Sequence, residues 1–113
     1  MSIFKYSEMS NKVIKKGGVN LKLPKDLKTD FLTFGITEIS PGESTTEHSH
    51  SSGEEFVFVL EGEGSIILDK KRCEIKKDDL IYINSNQSHQ IVNEEKVLLK
   101  LIFGVAPPVD FNK

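Results

Sequence analysis

Three histidines and one glutamate carry the chemistry this sequence can offer. His48 and His50 stand at i and i+2 in the stretch HSHSSGEE, so on a strand both imidazoles point to one side. Glu55 opens the apolar run that follows, and a hairpin brings it back beside them, with Val57 and Val59 on its face. His89 begins a separate apolar run after the turn-like NSNQS. Three neutral imidazoles and a carboxylate suit a divalent first-row transition metal. Mounted on apolar β walls they leave coordination positions open for a ligand, whereas structural sites are usually closed with four ligands, often sulfur. The single cysteine, Cys73, cannot supply such a set. An isolated His-x-His in a polar loop is most often simply solvated. Here, however, no histidine is left over, and all of them flank strand-like runs.

The elements that must position these groups read as strands. FLTFGITEIS (31–40) ends at the turn dipeptide Pro41-Gly42; EEFVFVL (54–60) stops at Glu61-Gly62. GSIILD (64–69), RCEIK (72–76), LIYI (80–83), HQIVN (89–93) and VLLKLIFG (97–104) follow, punctuated by Gly, Asn, Asp and Lys. No helical period of ten or more residues occurs; DLKTDF (26–31) is expected to form one turn. Short strands at this spacing predict an all-β sandwich or barrel. The 113 residues suit one domain, residues 1–113 with a core of about 30–104 and terminal arms either frayed or laid on a partner. The run VNLKLP (19–24) is a strand available to a partner's sheet. Phe56, Phe58 and Leu60 are expected between the sheets, Tyr82 as a core ring, and Cys73 as a small apolar filler.

Composition excludes several classes. Apolar residues make up 37% and charged ones 28%, near globular norms, with a net charge of -2. That balance gives no support for a nucleic-acid or anionic-membrane partner. No run approaches a membrane span, and MSIFKYSEMSNK is no signal peptide, so the expected location is the cytoplasm. Arg72 is the only arginine, which argues against ligands needing two guanidinium clamps. Lys22 or Lys100 remains to supply one positive charge.

The segment Gly42–Gly62 resembles the first motif of the cupin superfamily, G-x5-H-x-H-x3–4-E-x6-G, with Gly42, His48, His50, Glu55 and Gly62 in register. Glu54 fits only the shorter spacer, which then misplaces Gly62. The second motif, G-x5-P-x-G-x2-H-x3-N, maps onto Asp78–Asn93. His89 and Asn93 match, while Asp78, Asn84 and Asn86 replace its Gly, Pro and Gly. Asp and Asn tolerate left-handed turns; Asn84 loses the rigidity of proline.

This resemblance implies a double-stranded β-helix, or jelly-roll barrel, with His48, His50, Glu55 and His89 as ligands of Fe, Mn, Ni or Zn. It further implies a small-molecule metalloenzyme of oxygenase, isomerase or lyase type, with Glu55 also a base. The alternative is a pocket that binds or senses a small sugar or organic acid without turnover. A homodimer is the family expectation. Asn93 either lines the pocket beneath the metal or is a buried amide bonded to backbone.

Overall fold

Alternation with a period of two builds the fold, as seen in a computed structural model that describes residues 2–15, 18–49 and 53–109. The described strands are β1 (Ser10–Lys15), β2 (Val19–Leu23), β3 (Thr33–Ile39), β4 (Glu54–Glu61), β5 (Glu63–Leu68), β6 (Lys71–Lys76), β7 (Leu80–Ile83), β8 (His89–Val92) and β9 (Leu99–Ala106). One sheet has the order β1-β2-β3-β9-β4-β7, and the other has the order β6-β5-β8. Residues 42–48 run irregularly along β8, bridging Ser44 to Val92 and His48 to His89. From β3 onward the chain therefore passes back and forth between two facing sheets. This is the double-stranded β-helix of a jelly roll. No helix among the described residues is long and apolar enough to cross a membrane.

β3 and β9 turn Ile39, Leu99 and Leu101 inward against Val57 and Val59 of β4 and Ile66 and Ile91 of the second sheet. A second buried group, Leu21, Phe103 and Val105, lies further along the same face. In FVFVL both sets of alternate residues are apolar, so polarity does not say which faces in. The structure puts the β-branched valines inside and the bulkier Phe56, Phe58 and Leu60 on the outer face, contrary to the sequence expectation. Phe56, 39% exposed, is accommodated there because its neighbour on β9 is Gly104. A Cβ at that position would stand 2.2 Å from its Cε1. Tyr82 pairs with Phe56 on this outer face. It is not a core ring: it is 54% exposed, and its hydroxyl donates to Glu54 Oε2 at 2.6 Å.

Three other expectations are corrected at the N-terminal side. DLKTDF forms no helical turn; the chain bends at Asp26, with φ of 56°. VNLKLP is β2, already paired on both edges, with β1 and β3 of its own chain. The N-terminal arm lies across the outer face of the larger sheet. The Phe4 ring meets Phe34 edge-on at 6.1 Å. Tyr6, on a short 3-10 turn, donates to Glu38 and sits between Lys22 and Lys100, whose Nζ atoms lie 4.8 and 4.6 Å from its ring centre.

The turns that replace the motif's glycines behave as their side chains allow. Asp78 and Asn86 both adopt positive φ, at 76° and 66°, a conformation that short polar residues tolerate best after glycine. Asn84 closes its own turn, with its N–H donating to Gln87 Oε1 at 3.1 Å and its carbonyl accepting from Gln87 N–H at 3.1 Å. The first of those bonds needs an N–H that proline lacks.

Candidate metal centre

Two strands and the irregular 42–48 segment carry the site. On β8, His89 alternates with Gln90 and faces inward with Ile91. On β4, Glu55 takes the inward phase of Val57 and Val59. His48 is locked opposite His89 by reciprocal main-chain hydrogen bonds, and residues directly opposed in an antiparallel pair share a face. The result is one ligand atom each from His48, Glu55 and His89, all within 4.8 Å of one another. His50, the fourth residue expected here, lies outside the described residues.

Both imidazoles are oriented in the same way. His48 Nδ1 lies 2.8 Å from the Thr46 carbonyl, and His89 Nδ1 lies 3.0 Å from the Gln87 carbonyl. A carbonyl at that distance accepts a hydrogen bond from Nδ1–H, which leaves the Nε2 lone pair as the donor toward the gap. Such carbonyl-anchored histidines characterise metal ligands. Nitrogen donors of this tautomer beside a carboxylate fit a divalent transition metal. His89 Nε2 stands 3.3 Å from Glu55 Oε1, with the two side chains 2% and 10% exposed. Burial disfavours the His89 imidazolium, but the Glu55 hydrogen bond, the Gln87 carbonyl and the Glu55 charge outweigh it and hold its pKa above the ordinary 6.5. A proton and any metal held here would therefore compete for the same nitrogen.

Behind these groups opens a chamber of about 200 Å³. Val57, Ile91, Leu101, Phe103 and Val105 form much of its wall, and Thr37, Thr45 and Thr46 contribute polar groups. Val19 and Leu21 of β2 and Ile14 of β1 close another side. Sequence reasoning missed these three, having placed the core from about residue 30. The usable signal was the alternation of VNLKL, whose inward residues are Val19 and Leu21.

Asn93 does not line this chamber. It is fully buried, donating from Nδ2 to the carbonyls of Ile39 (2.9 Å) and Val97 (2.8 Å) and accepting at Oδ1 from Glu95 N–H (2.9 Å). It is a clasp between β8 and the start of β9. The cations considered from sequence also lie elsewhere. Arg72 pairs with Glu94, and Lys22 and Lys100 flank Tyr6 on the outer face.

Comparison with known proteins agrees with this fold. The cupin domain family matches residues 35–105, and the chain belongs to it. Uncharacterized protein MJ1618 of Methanocaldococcus jannaschii is 32% identical over 105 residues, spanning 91% of this chain and 84% of its own length. Tetracenomycin polyketide synthase protein TcmJ of Streptomyces glaucescens is 27% identical over 74 residues, 66% of this chain; the match spans 50% of the length of that relative. Among solved structures, KdgF from Halomonas sp. superposes with a TM-score of 0.86 at 18% identity, covering 100% of this chain and 99% of its own. A predicted oxalate decarboxylase from Thermotoga maritima gives 0.83 at 24% identity, covering 93% and 98%. At these identities the structural likeness is one of fold.

Proposed function

We propose that His48, His50, Glu55 and His89 hold a divalent transition metal (iron, manganese, nickel or zinc). On this reading the protein is a small-molecule metalloenzyme of oxygenase, isomerase or lyase type. The observation that carries it is the shared orientation of His48 and His89. Each Nδ1 is occupied by a backbone carbonyl, and the remaining donor atoms converge with Glu55 within 4.8 Å.

A metal bound there with open positions supplies Lewis-acid polarisation of a substrate oxygen. The chain's own groups do the rest. Glu55 lines the chamber and is the carboxylate placed to accept or return a proton beside that oxygen. The Thr45 hydroxyl accepts from Ile91 N–H at 2.9 Å, so its own hydrogen serves as a donor to the ligand. The apolar wall excludes water and strengthens each of these interactions. A homodimer belongs to the same proposal, supported by exposed Phe56, Leu80 and Tyr82 on the outer face; light scattering tests it.

Metal analysis of protein purified without a His tag is the decisive experiment. A stoichiometric metal is expected, lost in Glu55→Gln and retained in Glu54→Gln, whose carboxylate faces outward to Tyr82. Metal-free protein whose thermal stability ignores added Fe(II), Mn(II), Ni(II) and Zn(II) would sink the reading. Oxygen uptake with thiols, diols and keto acids then separates oxygenase from isomerase and lyase chemistry.

A further inference from the structure

We infer that the chamber receives an uncharged, largely hydrocarbon ligand about one substituted ring in size, with its oxygen-bearing end toward His48, Glu55 and His89. The inference rests on the proposed metal centre only for the orientation of the polar end. Its ligand class comes from the wall.

Three observations set that class. The first is chemical. Of the described residues lining the chamber, eight are aliphatic or aromatic, three are threonines and three are the His48, Glu55 and His89 group; none is Lys or Arg. A phosphate or carboxylate extending away from the metal end would be desolvated against Leu21, Leu101, Phe103 and Val105 with no cation among the described lining residues to meet it, which buried charge does not tolerate. The threonine hydroxyls can serve one or two neutral oxygens, too few for the many hydroxyls of a sugar.

The second is where the three cations singled out from the sequence lie. Lys100 is held on the outer face with its Nζ 3.7 Å from Glu38 Oε2, Lys22 lies over Tyr6, and Arg72 is paired with Glu94 on the other sheet. None of them reaches the chamber. The third is size. The chamber measures about 200 Å³, and an apolar cavity of roughly 150 Å³ already accepts benzene. A single ring with short substituents fits, and a nucleotide does not.

The test is a binding titration by isothermal calorimetry on the metal-loaded protein, with metal content measured on the same sample. The probes are phenol, para-cresol, para-ethylphenol, glucose and glycerol phosphate. Affinity is expected to rise about fourfold for each added CH₂, the gain of burying a methylene (about 0.8 kcal/mol). Glucose and glycerol phosphate should bind at least about tenfold more weakly than para-ethylphenol. Val105→Phe fills the chamber and should abolish the rise along the phenol series. Ile14→Glu, at a rim position 42% exposed where folding tolerates the change, should weaken para-ethylphenol without altering thermal stability.

A flat phenol series, or glycerol phosphate binding as tightly as para-ethylphenol, overturns the inference even when the metal is stoichiometric. Metal-free protein that still shows the graded series upholds the ligand class while removing the metal centre.

Discussion

His48 and His89 exchange both main-chain hydrogen bonds, 3.0 Å from His48 N–H to the His89 carbonyl and 2.9 Å in return. Their rings meet edge-on at 4.1 Å. The backbone thus places the two imidazoles by itself, and that pairing is expected to survive loss of either ring. The consequences of removing each ring nevertheless differ, because His48 is exposed and His89 is 1% exposed. His48→Ala should lose metal with less than about 1 kcal/mol change in stability of the chelator-treated protein. His89→Ala should lose metal and also about 2–4 kcal/mol, since it opens a hole and removes the His89 contact of the Glu55 carboxylate. Metal content and urea unfolding with chelator check both, and stoichiometric metal in either variant would count against the site.

Asn93 separates structural importance from ligand binding. Asn93→Ala leaves the Ile39 and Val97 carbonyls and the Glu95 N–H without their buried partner. It should cost roughly 2–4 kcal/mol in urea unfolding. Metal affinity, measured by competition with a chromophoric chelator, should be unchanged. A large fall in affinity with stability intact would mean that Asn93 acts on the site directly.

Gly62 sits between β4 and β5 with φ of 84°, and a Cβ there would stand 2.5 Å from the Leu98 carbonyl oxygen. Gly62→Ala therefore meets both a left-handed backbone and a backbone clash. Destabilisation of roughly 1–3 kcal/mol is expected, visible as a lower urea midpoint with an unchanged slope. Wild-type stability in this variant would show that the turn has room to relax.

The Tyr6 cluster predicts an alkaline dependence. The hydrogen bond to Glu38, then burial and the Glu38 charge, raise the Tyr6 pKa above 10.0. Burial lowers that of Lys100, but Tyr6, Glu61 and Glu38 outweigh it and carry it above 10.5. Folded pKa values above the unfolded ones mean that the stabilisation is complete below about pH 10 and is lost as pH rises through the raised values. Tyr6→Phe should be less stable than wild type by under about 1 kcal/mol at pH 8, because the site is largely exposed. The gap should narrow by pH 11 in thermal unfolding; a gap of constant size removes the linkage.

The strands of the core and the convergence of His48, Glu55 and His89 were legible because spacing carries them. LIYI is β7 residue for residue, and the distance from Glu55 to Gly62 distinguished Glu55 from Glu54. The inward phase of FVFVL was not legible, because valine and phenylalanine are both apolar. Gly104, 48 residues after Phe56, decides it from a neighbouring strand. The N-terminal strands were read too cautiously, since pairing of β2 with β3 is a long-range fact that no local signal announces. Asn93 could be narrowed only to two roles, because its partners at Ile39 and Val97 come from different parts of the chain.

The wall built by Ile14, Val19 and Leu21 lies ahead of residue 35, where the family match begins. On the proposed reading, the metal-binding end and part of the ligand-binding end occupy separable stretches of chain. A chimera that transplants only residues 35–105 onto a relative's N-terminal strands should keep its ion and exchange its choice of guest. If that exchange occurs, the choice of guest can drift through β1 and β2 while the group of His48, Glu55 and His89 stays as it is.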